Sequence, residues 1–79
     1  MKYFSFLKVY TIPMKFSTRL KELRIERNIT QATLAKEIGY SQRAVSKWEL
    51  DKTEPTASAL IKLSEFFGET VQYLLGIED

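Results

Sequence analysis

Gln42, Arg43, Ser46 and Lys47 are the residues of this chain whose types and spacing could do chemistry together. On a helix wheel with Gln42 at zero, Ser46 falls at about 40°, Arg43 at about 100° and Lys47 at about 140°. Ala44, Trp48 and Val45 fall at about 200°, 240° and 300°, an apolar stripe on the other side. One face therefore carries two cations, two neutral hydrogen-bonding groups and no acid. It reads either as a solvated face or as one that holds an anionic, hydrogen-bonding partner. The same inventory serves covalent chemistry poorly. The chain has no Cys and no His, so it lacks a thiolate, the commonest general base and the commonest metal ligand. The Ser and Thr residues read as helix caps, because no His is there to activate them. No Gly-rich phosphate loop, metal cluster or acid–base pair stands out, so neither an enzyme, a cofactor nor a small-molecule ligand is expected.

Charge is distributed unevenly around that face. The net charge is only +2. Residues 1–48 hold ten Lys and Arg against Glu22, Glu26 and Glu37, a net of +7, whereas residues 49–79 hold Lys52 and Lys62 against seven acids, a net of −5. Such asymmetry points to a nucleic-acid or membrane surface on the basic side; chance clustering of solvated charges is the plainer reading.

The elements that must position these residues are short. A chain of 79 residues makes one domain at most, and a domain this small buries only about 60% of its unfolded surface. An apolar fraction of 44% and a charged fraction of 28% are ordinary for a folded chain. No stretch reaches the roughly 18 apolar residues of a membrane span. Lys8 interrupts the apolar N-terminal run and no small-residue cleavage site follows, so a secretory signal is not expected and the cytoplasm is the expected location.

Pro13 and Met14 divide two textures. Before them, Tyr3 to Ile12 is dense in aromatic and β-branched residues and reads as a strand-like arm over residues 1–13. After them, residues 14–79 read as a helical domain. A first helix is expected from an N-cap at Ser17 to about Asn28, burying Leu20 and Leu23. Thr30 caps a second, with Leu34, Ala35 and Ile38 inward and Gly39 ending it. Ser41 caps a third, from Gln42 to about Leu50, with Asp51 in the left-handed position that follows. The second and third meet across a turn of three or four residues, the spacing of a helix-turn-helix. Thr56 begins a fourth helix with Ala59, Leu60, Leu63 and Phe67 inward and Gly68 at its end. Thr70 caps a fifth, with Val71, Leu74 and Leu75 inward before Gly76. Five helices without a strand among them make an all-α bundle.

From Phe16 to Ile77, about four-fifths of the chain, the sequence resembles the Cro/C1-type helix-turn-helix family, also called the Xre family of phage and bacterial repressors. The residues that carry the likeness are Arg19 to Arg24, Ile29-Thr30-Gln31, Leu34-Ala35, Ile38-Gly39, Ser41, Val45-Ser46, Trp48-Glu49, Pro55, Leu60, Leu63 and Val71 to Gly76. The resemblance implies a five-helix, lambda-repressor-like bundle and a sequence-specific, repressor-type regulator of transcription. It would act as a homodimer on a near-palindromic operator in double-stranded DNA. The third helix would enter the major groove with Gln42, Arg43, Ser46 and Lys47 at the base edges, Gln42 suited to adenine and Arg43 or Lys47 to guanine. Gln31, Ser41 and Lys52 would contact phosphate, with Gln31 also bracing Gln42. An Arg24–Glu49 salt bridge would lie beneath that helix; on the wheel Glu49 falls at about 340°, at the rim of the buried stripe, where a carboxylate needs a partner.

Val71, Tyr73, Leu75 and Ile77 would carry the dimer contact. Asp51 departs from the Gly or Asn usual in the family and puts an acid near the backbone path. The arm is not part of the pattern. Met14 would make a normal start for this family, so residues 1–13 read as an upstream extension, as a strand paired with its copy, or as a segment folded back on the bundle; an exposed apolar edge favours the dimer. The reading from another class is a protein-interaction or antitoxin-like module that uses the same fold.

Overall fold

The computed structural model describes residues 15–77. Over that span five helices follow one another: α1 Phe16–Glu26, α2 Gln31–Ile38, α3 Gln42–Glu49, α4 Ala57–Phe67 and α5 Val71–Leu75. Residues of the expected N-terminal arm lie outside the described span. The expected all-α bundle is found among the described residues, with helices only and no strand.

Helices of five to eleven residues are marginal alone, so their ends matter. Thr30, Ser41, Thr56 and Thr70 each accept a hydrogen bond from the backbone N–H three residues on, at Thr33, Ala44, Ala59 and Tyr73. Each satisfies one of the donors that a first turn leaves free. The C-terminal ends share a second device. A left-handed residue follows each helix, Asn28, Gly39, Asp51, Gly68 or Gly76. The amide after it returns to a carbonyl of the last turn, as in Tyr40 to Ala35 at 2.9 Å and Lys52 to Lys47 at 2.9 Å. This is the Schellman closure.

The start of α1 differs from the expectation. Lys15 is its N-cap, with no side-chain cap, and Ser17 sits inside the first turn and is buried. Ser17 lies three residues before Leu20 and so shares its inward face, where its small side chain belongs to the core side and not to the cap. The helix also ends at Glu26, two residues early, because Asn28 adopts φ 57°.

The core gathers Leu20, Leu23, Leu34, Ala35, Ile38, Val45, Trp48, Ala59, Leu63, Phe67 and Leu74. α3 packs chiefly on α2 and α1, while α5 closes the bundle against α1 and α4. Trp48 anchors α3, its ring 5.4 Å from that of Tyr40 and 6.5 Å from that of Phe16. At α5 the expectation of three inward residues fails. Leu74 is fully buried, Val71 is half-buried and Leu75 is exposed. A helix of five residues has too little length to seat more than one side chain squarely on the core.

Candidate nucleic-acid interface

The loop Gly39–Ser41 places α3 on the outside of the bundle with its apolar stripe turned in. Val45 and Trp48 are buried on that stripe, which leaves the opposite face to solvent. There Gln42, Arg43, Ser46 and Lys47 line one shallow, open depression together with Leu50 and Lys52. Gln42 and Arg43 are exposed, Ser46 and Lys47 half-exposed. The Schellman closure after α3 brings Lys52 back beside Lys47. Four of the expected base-contacting residues and one expected phosphate contact thus share a single surface. Leu50, which had no place in the expected contact set, shares it too.

Backbone groups add to this surface. The first turns of α2 and α3 leave N–H groups at Gln31, Ala32, Gln42 and Arg43 without intrahelical partners, at the positive ends of the helix dipoles. Such ends hold phosphate well. The Ser41 hydroxyl oxygen accepts from the Ala44 N–H at 3.1 Å, so this residue acts as a cap at the edge of the surface.

Beneath α3 lies a polar network. Arg24 donates from Nε to Glu49 Oε2 at 2.7 Å and from Nη2 to Glu49 Oε1 at 2.9 Å. Its Nη1 donates to the Ile29 carbonyl at 2.9 Å. Gln31 donates from Nε2 to Glu49 Oε1 at 3.0 Å. Among the described residues no hydrogen bond joins Gln31 to Gln42, so its side chain braces the end of α3 rather than the beginning. The Glu49 side chain is only 3% exposed and that of Arg24 13%; a carboxylate so enclosed needs the three donors it has. The hydrogen bond to Glu49 raises the pKa of the Arg24 guanidinium against the desolvation that opposes it. One network thereby ties the last turn of α3 to α1, to the α1–α2 loop and to the first residue of α2.

Asp51 is less troublesome than its charge suggested. Its carboxylate accepts from Lys15 Nζ at 3.3 Å, an exposed pair at the start of α1. Two arginines carry structural roles that local sequence did not reveal. Arg27 donates from Nη2 to the Phe67 carbonyl at 2.8 Å, capping the C-terminus of α4 from 40 residues away. Arg19 lies over the Tyr73 ring, 3.8 Å from its centroid, and ties α1 to α5. No motif announces either contact, since each depends on how the helices pack. Among the described residues, no helix is long and apolar enough to cross a membrane.

Comparison with known proteins agrees with this geometry. The helix-turn-helix family model HTH_3 matches residues 20–74. The HTH-type transcriptional activator BcrR of Enterococcus faecalis is 39% identical over 66 residues, which are 84% of this chain and 32% of that protein. The HTH-type transcriptional regulator ImmR of Bacillus subtilis is 32% identical over 66 residues, 84% of this chain and 52% of that protein. The chain thus spans about a third to a half of the length of these relatives. A crystal structure of the P22 c2 repressor protein in complex with a synthetic operator superposes with a TM-score of 0.78 at 34% identity, covering 82% of this chain and 98% of that one.

Proposed function

Because the chain belongs to the HTH_3 helix-turn-helix family, we propose that residues 14–79 are the DNA-binding unit of a cytoplasmic, repressor-type regulator of transcription. It binds double-stranded DNA sequence-specifically, as a homodimer, with α3 in the major groove. The observation that carries this reading is the surface on α3, where Gln42, Arg43, Ser46, Lys47 and Lys52 stand together with no acid among them. Gln42 and Arg43 carry the planar groups that match adenine and guanine edges, and Ser46 and Lys47 extend the set along the same face. Gln31, Ser41 and Lys52, with the N-terminal amides of α2 and α3, hold the phosphates on either side. The P22 c2 repressor, seen in complex with a synthetic operator, supports binding to operator DNA.

No catalytic role is proposed. A protein-interaction module would call for an apolar or acidic α3 face; a single leucine among five polar lining residues favours DNA. One recognition helix reads few base pairs, so useful specificity needs two copies. Leu75 and Ile77, exposed at 38% and 70%, supply apolar surface for a two-fold contact with Val71 and Tyr73 beside them. Selection of bound duplexes from a random pool tests the whole reading. The expected result is a near-palindrome with half-sites about 10 base pairs apart, centre to centre. Failure to enrich any duplex would overturn it.

A further inference from the structure

The depression on α3 contains one side chain that neither the core nor polar readout accounts for. Leu50 is the C-cap of α3 and is 61% exposed. It falls at about 80° on the wheel, between Ser46 and Arg43, and so stands in the middle of the face. α3 already buries its own apolar stripe through Val45 and Trp48. Ile25, Ile61, Leu75 and Ile77 are also exposed, but none of them lines this surface. An isolated surface leucine is ordinary. What distinguishes Leu50 is its company, since every other residue lining the depression is a cation or a hydrogen-bonding group.

We propose that Leu50 is a specificity-determining residue whose side chain packs on the C5-methyl group of a thymine in each half-site. The inference rests on the reading of α3 as the helix that enters the groove. Within the major groove the thymine methyl is the apolar mark that distinguishes one base pair from another, and it is the group that a leucine is best suited to recognise there. Position agrees with chemistry. Eight residues separate Gln42 from Leu50, about 12 Å along the helix axis, which is three to four base-pair steps at about 3.4 Å each. A pyrimidine C5 lies on the side of its base nearest its own sugar–phosphate strand. Its methyl therefore stands towards the groove wall, where the last turn of a recognition helix leaves the floor. Lys52 lines the same depression two residues on, so a phosphate contact and a methyl contact would fall on neighbouring nucleotides.

The test uses the full chain and the duplex recovered by selection. Each thymine in turn is replaced by deoxyuridine, which removes only the methyl group. The wild-type protein should lose about fourfold in affinity at one thymine per half-site, three to four pairs from the base that Gln42 reads. That factor corresponds to burial of one methyl-sized group, about 0.8 kcal/mol at 1.4 kcal/mol per tenfold. Leu50→Ala, which removes the contact from both half-sites of the dimer, should bind the thymine duplex about fifteenfold more weakly and be indifferent to the deoxyuridine change at that position. Its thermal unfolding, unchanged because the side chain is exposed, shows that the fold is kept. A half-site in which no thymine matters, or a loss that persists in Leu50→Ala, would overturn the proposal while leaving DNA binding intact. A pool that yields no duplex would overturn both readings.

Discussion

Glu49 accepts three hydrogen bonds from two side chains while almost wholly enclosed, and that arrangement sets what single substitutions should do. Taking two charges out of water offsets most of their attraction, so the net contribution of the pair is small. Removing one partner is different, because it strands the other. Arg24→Ala should cost about 3 kcal/mol in denaturant unfolding followed by Trp48 fluorescence, and the Arg24→Ala/Glu49→Ala double variant should cost much less than the sum of the two single losses. Strictly additive losses would show that the residues do not interact. Arg24→Lys should recover little, since an ammonium cannot make two parallel bonds to Glu49 and reach the Ile29 carbonyl as well. The sign of the pH effect is also set. A guanidinium whose pKa is raised in the folded state contributes at every pH below its ordinary value and is lost only as pH rises beyond it, so this half of the pair gives no pH dependence near neutrality. At the other edge of α3, Lys52→Ala should weaken binding to all duplexes alike and lower the salt slope by about one, as loss of a phosphate contact does. A change in base preference in that variant would contradict its assignment.

At the level of elements, α3 is aimed by three things: the Gly39 turn, the Trp48 anchor and the Arg24–Glu49–Gln31 network. Gly39 sits at φ 77°, and a Cβ added there would meet nothing within 4 Å. Gly39→Ala should therefore destabilise by about 1–2 kcal/mol through backbone conformation alone, measurable as a lower midpoint in urea; no change would mean that the turn relaxes freely. Capping chemistry acts within four residues, and for that reason Thr30, Ser41, Thr56, Thr70 and the left-handed Asp51 could be read directly from the chain. The 100° periodicity of α3 gave its two faces for the same reason. Ser17 misled because a serine near a helix start serves equally well as a cap or as a small core residue, and only packing decides. The Gln31 to Glu49 bond, the Arg27 cap on α4 and the Arg19–Tyr73 contact join residues 18, 40 and 54 apart in sequence. No local pattern encodes such pairs. Leu50 falls on the wheel beside Ser46, but an apolar residue on a polar face carries no signal until the surface that surrounds it is known.

Across the whole molecule, the imbalance between a basic first part and an acidic second part becomes a matter of surfaces. Arg43, Lys47 and Lys52 stand together around α3 with no acid lining that surface, while Glu65 and Glu69 lie in and just after α4. Such an arrangement orients the molecule towards a polyanion with α3 leading, although the net charge is nearly zero. The family match reaches from residue 20 to residue 74, so α3, its support and the exposed Leu75 all lie in or beside the shared fold. On the proposed reading, the exposed face of α3 recognises base sequence. Equilibrium titration of the selected duplex against a scrambled one, repeated over a range of salt concentrations, tests it most directly. The wild-type chain should prefer the selected duplex by about a thousandfold or more, with log affinity falling by about 0.9 per neutralised phosphate as log salt rises. The Gln42→Ala/Arg43→Ala variant should keep most of that salt dependence and lose most of the preference. Equal affinity for both duplexes in the wild type, or a preference that survives in the variant, would contradict the claim.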